Sequence, residues 1–124
     1  MEELSFTKLQ IWQKAHELTL KVYEYTSNFP AIEKYGLVSQ LRRASVSVVS
    51  NIAESQGRYY YAEIIRFLYD AKGSILEIQA QLFIARDLKY LKTEEAERLI
   101  EEYTNLTKQL NSFINYKRKK KERS

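Results

Sequence analysis

Apolar residues recur every three or four positions along four stretches of the chain, which is the spacing of a buried stripe on an α-helix. The first stretch covers about residues 7–28, and the second begins between residues 31 and 37 and ends at about 55. The third covers about residues 60–88, and the fourth begins at 93 and reaches the basic residues that start at 117. The predicted core positions are Ile11, Ala15, Leu18, Val22 and Tyr25; Leu37, Leu41, Ala44, Val48 and Ile52; Ile64, Phe67, Ala71, Ile75, Ile78, Leu82 and Ala85; and Ala96, Leu99, Tyr103, Leu106, Leu110 and Phe113. Four such helices with short connections predict an all-α, up-down-up-down, antiparallel four-helix bundle.

Local signals mark several helix ends. Thr7 and Gln10 have the spacing of a capping box, and Thr93 is a good N-cap for the fourth helix. Pro30 disfavours the α conformation at Phe29 and predicts the end of the first helix. Gly57 is a plausible stop for the second helix. Gly73, in the middle of the third helix, predicts a close approach of a neighbouring helix.

Composition narrows the function classes. Three Gly and one Pro in 124 residues leave too few turns for a β-sandwich or barrel. The absence of cysteine excludes disulfides, thiolate metal sites and Cys nucleophiles. The acidic start and the lack of a long apolar run favour a cytoplasmic protein with no membrane partner.

The net charge of +4 is unevenly distributed. Residues 117–124, here called the basic segment, carry six cations and one anion, a net +5, and the other 116 residues sum to −1. The expected domains are therefore a helical bundle at 1–116 and a basic C-terminal tail at 117–124.

The second helix is apolar over more than half of its circumference. Val46, Val49 and Ala53, here called the interface strip, widen the arc beyond the core stripe. A helix of this kind has two packing neighbours. One neighbour is the rest of its own bundle, and we expect the second to be another copy of the chain.

The same helix has a continuous polar face. Its members are Gln40, Arg43, Ser47, Ser50, Asn51 and Glu54. Two interpretations stay open: a solvated face or interhelical hydrogen bonds on one hand, and a ligand or partner surface on the other.

Three groups of cations are candidates for contact with nucleic acid. The first is the basic segment, with Lys117, Arg118, Lys119, Lys120, Lys121 and Arg123. It would bind phosphates by releasing condensed counterions, or else serve as a frayed, solubilising terminus that complements the helix dipole. Arg42 and Arg43 could contact phosphate or a partner's carboxylates, or form a salt bridge within the bundle. Arg58 precedes three tyrosines, 59–61, which could stack on unpaired bases or act as staples and interface anchors.

No constellation for catalysis is present. A ferritin-like di-metal site needs two Glu-x-x-His units, and His16 is the only histidine. The chain has no glycine-rich phosphate loop and no paired acid and base at recognisable spacing. We therefore expect no enzyme activity, no metal, no cofactor and no small-molecule substrate; His16 is expected on a helix surface or in an interface.

Several motifs resemble one known family. They are LQIWQKA at 9–15, FPAIEKYGLVSQLRRA at 29–44, SVVSNIAE at 47–54, Gly57-Arg58, and FLYDAKGS at 67–74. The stretch 6–92 is similar to the four-helix bundle proteins encoded in intervening sequences of bacterial large-subunit ribosomal RNA genes. Val49 and Ser55 depart from the pattern, which usually has Pro and Gly there.

The resemblance implies a closed homo-oligomeric ring, a pentamer with a central channel. Related proteins are accessory factors of diversity-generating retroelements that bind the reverse transcriptase and nucleic acid. The resulting hypothesis is a non-enzymatic, homo-oligomeric bundle that binds RNA or DNA without base specificity, with a reverse transcriptase or ribonucleoprotein as a candidate partner. The alternative is a protein–protein scaffold or adaptor with no nucleic-acid role.

Overall fold

The computed structural model describes Leu4–Arg123, and within that range the chain is all-α, with four long helices and no strand. The helices are α1 (Gln10–Thr26), α2 (Leu37–Ser55), α3 (Tyr61–Asp87) and α4 (Thr93–Arg123). Two short 3₁₀ helices, Ser5–Lys8 and Ala31–Glu33, precede α1 and α2. The prediction of four helices is confirmed. At 1.5 Å per residue, the 27 residues of α3 extend over roughly 40 Å.

One hydrophobic core lies between the four helices, and the three–four periodicity identified nearly all of it. Every predicted core position is buried except Tyr25 and Phe113, which are half-buried against the core. At the end of α4, Ile114 takes the buried position that was predicted for Phe113. The drift arises because a straight helix turns slightly less than a strict heptad repeat requires.

The predicted capping box at the start of α1 is wrong. Thr7 lies in the preceding 3₁₀ helix, where its hydroxyl donates a 2.7 Å hydrogen bond to the Leu4 carbonyl. The helix begins one turn later, at Gln10, after Leu9 in an extended conformation and without a side-chain cap. The Thr93 prediction is also off by one residue, because Thr93 is already the first helical residue of α4.

Hydrogen bonds fix how the helices pack on their neighbours. The Thr19 hydroxyl of α1 donates to the Ser45 carbonyl of α2 at 3.2 Å. Between α2 and α3, Gln81 donates to Gln40 at 3.3 Å, and the hydroxyls of Ser47 and Ser74 are 2.9 Å apart. Gln79 of α3 donates to the α4 carbonyl of Ile100 at 3.0 Å and to the Thr104 hydroxyl at 2.9 Å. The second helix therefore packs between α1 and α3.

Gly73 does not mark a close helix contact, so that prediction is wrong. The residue is exposed, and a Cβ placed on it would meet nothing within 4 Å. The tight glycine is Gly36, at the start of α2. A Cβ there would lie 2.8 Å from the carboxylate of Glu33.

That Glu33 carboxylate links two connections of the fold. One oxygen accepts the backbone N–H of Leu37 at 3.1 Å, and the other accepts the Tyr90 hydroxyl at 2.9 Å. The hydrogen bond to Glu33 raises the pKa of the Tyr90 phenol above its ordinary value. The loop before α2 is thereby tied to the loop before α4. Across the described range, no helix combines the length and the apolar character that a membrane crossing requires.

Candidate nucleic-acid interface

The basic segment forms the last two turns of α4. The helix continues without a break through Lys117 and ends at Arg123, so the boundary expected at residue 117 falls inside one element. Consecutive helical residues point about 100° apart. The six cations therefore surround the end of a helical rod, and Ser124 lies outside the described residues.

One side of the basic segment lies against the first half of α3. The Arg118 guanidinium donates a 2.6 Å hydrogen bond to the Tyr69 hydroxyl. Lys120 is near enough to Tyr61 for the two groups to interact electrostatically. These two contacts place the C-terminal end of α4 and the N-terminal half of α3 at the same end of the molecule.

Aromatic rings alternate with the cations on α4. The Lys117 ammonium lies 5.3 Å from the Phe113 ring centroid, and the Lys120 ammonium lies 5.0 Å from that of Tyr116. Hydrogen bonding to Lys120 lowers the pKa of the Tyr116 phenol, and the same contact raises the pKa of the lysine. The contact therefore holds the Lys120 ammonium beside the Tyr116 ring.

The first half of α3 adds cations of its own. The guanidinium carbons of Arg58 and Arg66 lie 4.5 and 4.7 Å from the Phe67 ring centroid, and the Lys72 ammonium lies 5.1 Å from that of Tyr69. Sequence reasoning selected Arg58 but missed Arg66 and Lys72. Lys72 follows Tyr69 by three residues on a helix, a spacing that makes them neighbours and could have identified it.

Together these residues form a strongly cationic region, here called the basic end, that comprises residues 58–72 and 113–123. It holds nine basic and three acidic side chains, a net charge of +6. The whole chain carries +4, so the remaining residues are net −2. The described residues outside it, 4–57 and 73–112, sum to zero. The net positive charge of the described chain therefore lies in this region, which is built from α4, the first half of α3 and the connection before it.

Arg42 and Arg43 lie elsewhere. The Arg42 side chain donates to the Thr26 hydroxyl at 2.9 Å and to the Tyr23 carbonyl at 3.3 Å, and its guanidinium lies 4.6 Å from the Tyr23 ring centroid. The expected salt bridge is replaced by hydrogen bonds to the end of α1, because no carboxylate in the described chain reaches it. Arg43 is exposed. Both lie about 20 Å along α2 from the end of that helix, far from the basic segment.

Two members of the polar face of α2, Gln40 and Ser47, form hydrogen bonds with α3. Besides the Ser47–Ser74 and Gln40–Gln81 pairs, the Asn51 amide donates to the Ser47 carbonyl at 2.9 Å and to its hydroxyl at 3.1 Å. Arg43, Ser50 and Glu54 are exposed. Hydrogen bonds to α3, hydrogen bonds within α2 and exposure to solvent are thus all found on this face, which agrees with the first of the two interpretations.

The interface strip is divided between core and surface. Val49 packs partly against the core, Ala53 is half-buried, and Val46 is 42% exposed. Leu20 of α1 is also exposed. The residue before it, Thr19, donates a hydrogen bond to Ser45, which is the residue before Val46. An apolar flank therefore runs along the outer side of the α1–α2 pair.

His16 lies on the exposed side of α1, stacked on Trp12 with the ring centroids 5.0 Å apart. Among the described residues, no three acidic, His or Cys side chains converge as metal ligands would. The basic end is thus the candidate site that the folded chain assembles.

Comparison with known proteins places this geometry in context. A family model described as 23S rRNA-intervening sequence protein matches residues 7–112. The chain is also similar in fold to the crystal structure of a protein of unknown function, from the S23 ribosomal protein family, of Bacteroides thetaiotaomicron. The two are 22% identical, with a TM-score of 0.75 over 84% of this chain and 97% of the other. The search of curated proteins finds no match. The family match includes Arg58, Arg66 and Lys72 and ends before the basic segment.

Proposed function

Since the chain belongs to the 23S rRNA-intervening sequence protein family, as its motifs predicted, we propose that it is a cytoplasmic protein that binds RNA or DNA through its basic end. We also propose that it is not an enzyme, because the description of that family indicates none. Binding is to the phosphate backbone and does not depend on base sequence. The proposal includes an up-down-up-down antiparallel bundle assembled as a homo-oligomeric ring, with five subunits as the expected number.

The observation that carries the proposal is the concentration of +6 at one end of a chain whose remainder is net −2. Cations that neutralise phosphates release condensed counterions, and this supplies affinity without any base contact. The arrangement of cations on two helices presents them over a surface on which several phosphates of one nucleic acid could bind.

The helix pairings support the antiparallel arrangement. Along α2 the contact residues rise from Gln40 to Ser47, while their partners on α3 fall from Gln81 to Ser74. The same reversal relates α3 to α4, since Gln79 pairs with Thr104 and Tyr69 with Arg118.

Exposed apolar side chains support assembly. Val46 and Leu20 lie on the α1–α2 flank, where a second copy would cover them. Five copies would bring about 30 cations of the basic segment into one particle, and multivalent binding would then exceed that of one chain.

The test is fluorescence anisotropy with a structured RNA hairpin over a series of salt concentrations. The variant carries Lys119→Gln, Lys120→Gln and Lys121→Gln, and the matched control carries Lys34→Gln, Lys92→Gln and Lys108→Gln, three exposed lysines outside the basic end. Each lost phosphate contact lowers the slope of log K against log salt by about 0.7–0.9. We expect the first variant to bind more weakly with a shallower slope and the control to match the wild type. Equal binding by all three proteins would overturn the proposal.

A protein adaptor is the second candidate function, and the exposed apolar side chains of α3 favour it. Leu76 and Phe83 face outward on the helix that also carries Tyr69. A reverse transcriptase or ribonucleoprotein is the candidate protein partner. Under the adaptor function, binding of a purified partner would survive nuclease treatment and high salt and would be indifferent to the lysine substitutions.

A further inference from the structure

Exposed tyrosines are concentrated at the basic end. Tyr59 is 87% exposed and Tyr60 is 66% exposed, and both lie between Arg58 and the first turn of α3. Tyr116 is about half exposed beside Lys120 on the last turns of α4. All three rings therefore belong to the basic end and are accompanied there by its cations.

The fold does not account for Tyr59 and Tyr60. Their rings contact each other edge to face, with centroids 5.1 Å apart, and neither hydroxyl has a hydrogen-bond partner among residues 4–123. Tyr60 is the N-cap of α3 and makes no side-chain cap, although Ser, Thr, Asp or Asn would stabilise a helix start there. A staple would be buried against the following turn, and these rings are not. Helix formation and packing would therefore favour other residues at both positions.

We propose that the basic end binds single-stranded nucleic acid, with the rings of Tyr59, Tyr60 and Tyr116 stacking on unpaired bases while the adjacent cations hold the phosphates. This deepens the proposed function and rests on it. Unpaired bases present their faces to an aromatic ring, whereas a duplex keeps them stacked inside. Stacking tolerates every base, because each one has a π-face, so the preference is for strandedness and not for sequence.

Cations lie near these tyrosines, where they would bind the phosphates of the same strand. Arg58 is adjacent to Tyr59 in sequence, and Lys120 lies against the Tyr116 ring. Arg118 joins the two helices through Tyr69, so cations from α3 and α4 border one surface. A strand that crosses from one helix to the other would meet rings and charges in alternation, which is the composition of single-strand binding grooves.

The experiment compares a single-stranded oligouridine 20-mer with a 20-base-pair RNA duplex by anisotropy. The variant is Tyr59→Ser with Tyr60→Ser, because serine is a favourable N-cap and keeps the start of α3 intact. Tyr35→Ser is the matched control, since Tyr35 is also 87% exposed but lies in the loop before α2. Circular dichroism confirms equal helicity of the three proteins.

We expect the double variant to lose at least about tenfold in affinity for the single strand and less than about twofold for the duplex. Its salt slope should equal that of the wild type, because stacking releases no counterions, whereas the triple lysine variant should lower both affinities and both slopes. Tyr35→Ser should change neither affinity.

The outcomes separate the inference from the proposed function. Unchanged single-strand affinity in the double variant, with loss in the lysine variant, would overturn the stacking role and leave phosphate binding standing. An equal loss for duplex and single strand, or the same loss with Tyr35→Ser, would also overturn it. Absence of binding to either probe by the wild type would remove both.

Discussion

The phenol of Tyr103 enters the core at the middle of α4, and its hydroxyl, which lies close to Thr19, makes no hydrogen bond of good geometry in the described chain. Burial raises the pKa of this phenol, and the neighbouring Glu102 carboxylate raises it further. An unpaired buried hydroxyl costs about 1–3 kcal/mol. We predict that Tyr103→Phe leaves the free energy of unfolding unchanged or raises it by up to about 1 kcal/mol.

Urea denaturation followed by circular dichroism measures the effect. Tyr103→Ala is the comparison variant, because it removes the ring as well and should cost about 3–5 kcal/mol through the cavity that it leaves. A loss of more than about 1 kcal/mol with Tyr103→Phe would show instead that the hydroxyl is bonded in solution.

At the scale of single residues, the sequence predicted burial correctly where burial follows from the periodicity of the residue's own helix. It assigned Tyr103 to the core from periodicity alone. It could not find the partners of Arg42, since Thr26 and the Tyr23 carbonyl come from another helix. It missed Arg66, whose significance depends on the approach of α4. It also missed Lys72, which its spacing from Tyr69 could have identified.

At the scale of elements, Gly73 is a helix-interior glycine without a structural reason. Its Cβ position is open, and glycine is less favourable than alanine in a helix by about 1 kcal/mol. We predict that Gly73→Ala raises the free energy of unfolding by about 0.5–1 kcal/mol, read from urea denaturation.

Gly36→Ala is the contrasting substitution. A Cβ there would displace the Glu33 carboxylate from the contacts it makes with Leu37 and Tyr90, so this variant should be less stable than the wild type. A destabilising Gly73→Ala would contradict the open position and would indicate that another chain covers this face of α3.

The helices themselves were predictable because each stripe is local and repeats over several turns. Their starts were less so. The capping-box spacing at Thr7 and Gln10 is present in the sequence, yet the 3₁₀ turn over Ser5–Lys8 takes the Thr7 hydroxyl for a local bond. Ser, Thr and Asn side chains bond to whichever backbone group the chain brings closest. The side chain of a cap motif can therefore bond within a neighbouring turn instead of capping the helix, and the sequence alone does not show which bond forms.

At the scale of the whole molecule, the sequence predicted only part of the concentration of positive charge in the basic end. The basic segment is visible in the sequence, but the cations of α3 join it through Arg118 and Tyr69, which are 49 residues apart. The resulting basic end is larger than the segment and includes residues inside the family match, at Arg58, Arg66 and Lys72. Under the proposed function, removal of the segment alone should therefore weaken binding to nucleic acid without abolishing it.

Two outward apolar faces compete as the contact between copies of the chain. Val46 lies on the α1–α2 flank, and Leu76, 67% exposed, lies on the outer face of α3. We predict that the wild type has an assembled mass of about five times 14.7 kDa. Val46→Glu should lower this mass toward that of one chain, while Leu76→Glu should leave it unchanged. Glutamate is a better helix former than valine, so circular dichroism should show no loss of helix in either variant.

Light scattering coupled to size exclusion gives the mass directly. The comparison of the two variants identifies which apolar face forms the subunit contact, because both substitutions add the same charge to an exposed helical position. An uncompensated carboxylate buried between subunits is strongly unfavourable, whereas one that stays in water is not. Dissociation by Leu76→Glu and not by Val46→Glu would move the subunit contact to α3, beside Tyr69 and the basic end. A monomeric wild type would leave the α1–α2 flank bare to solvent, and the affinity gained from many basic segments in one particle would then be lost with the ring.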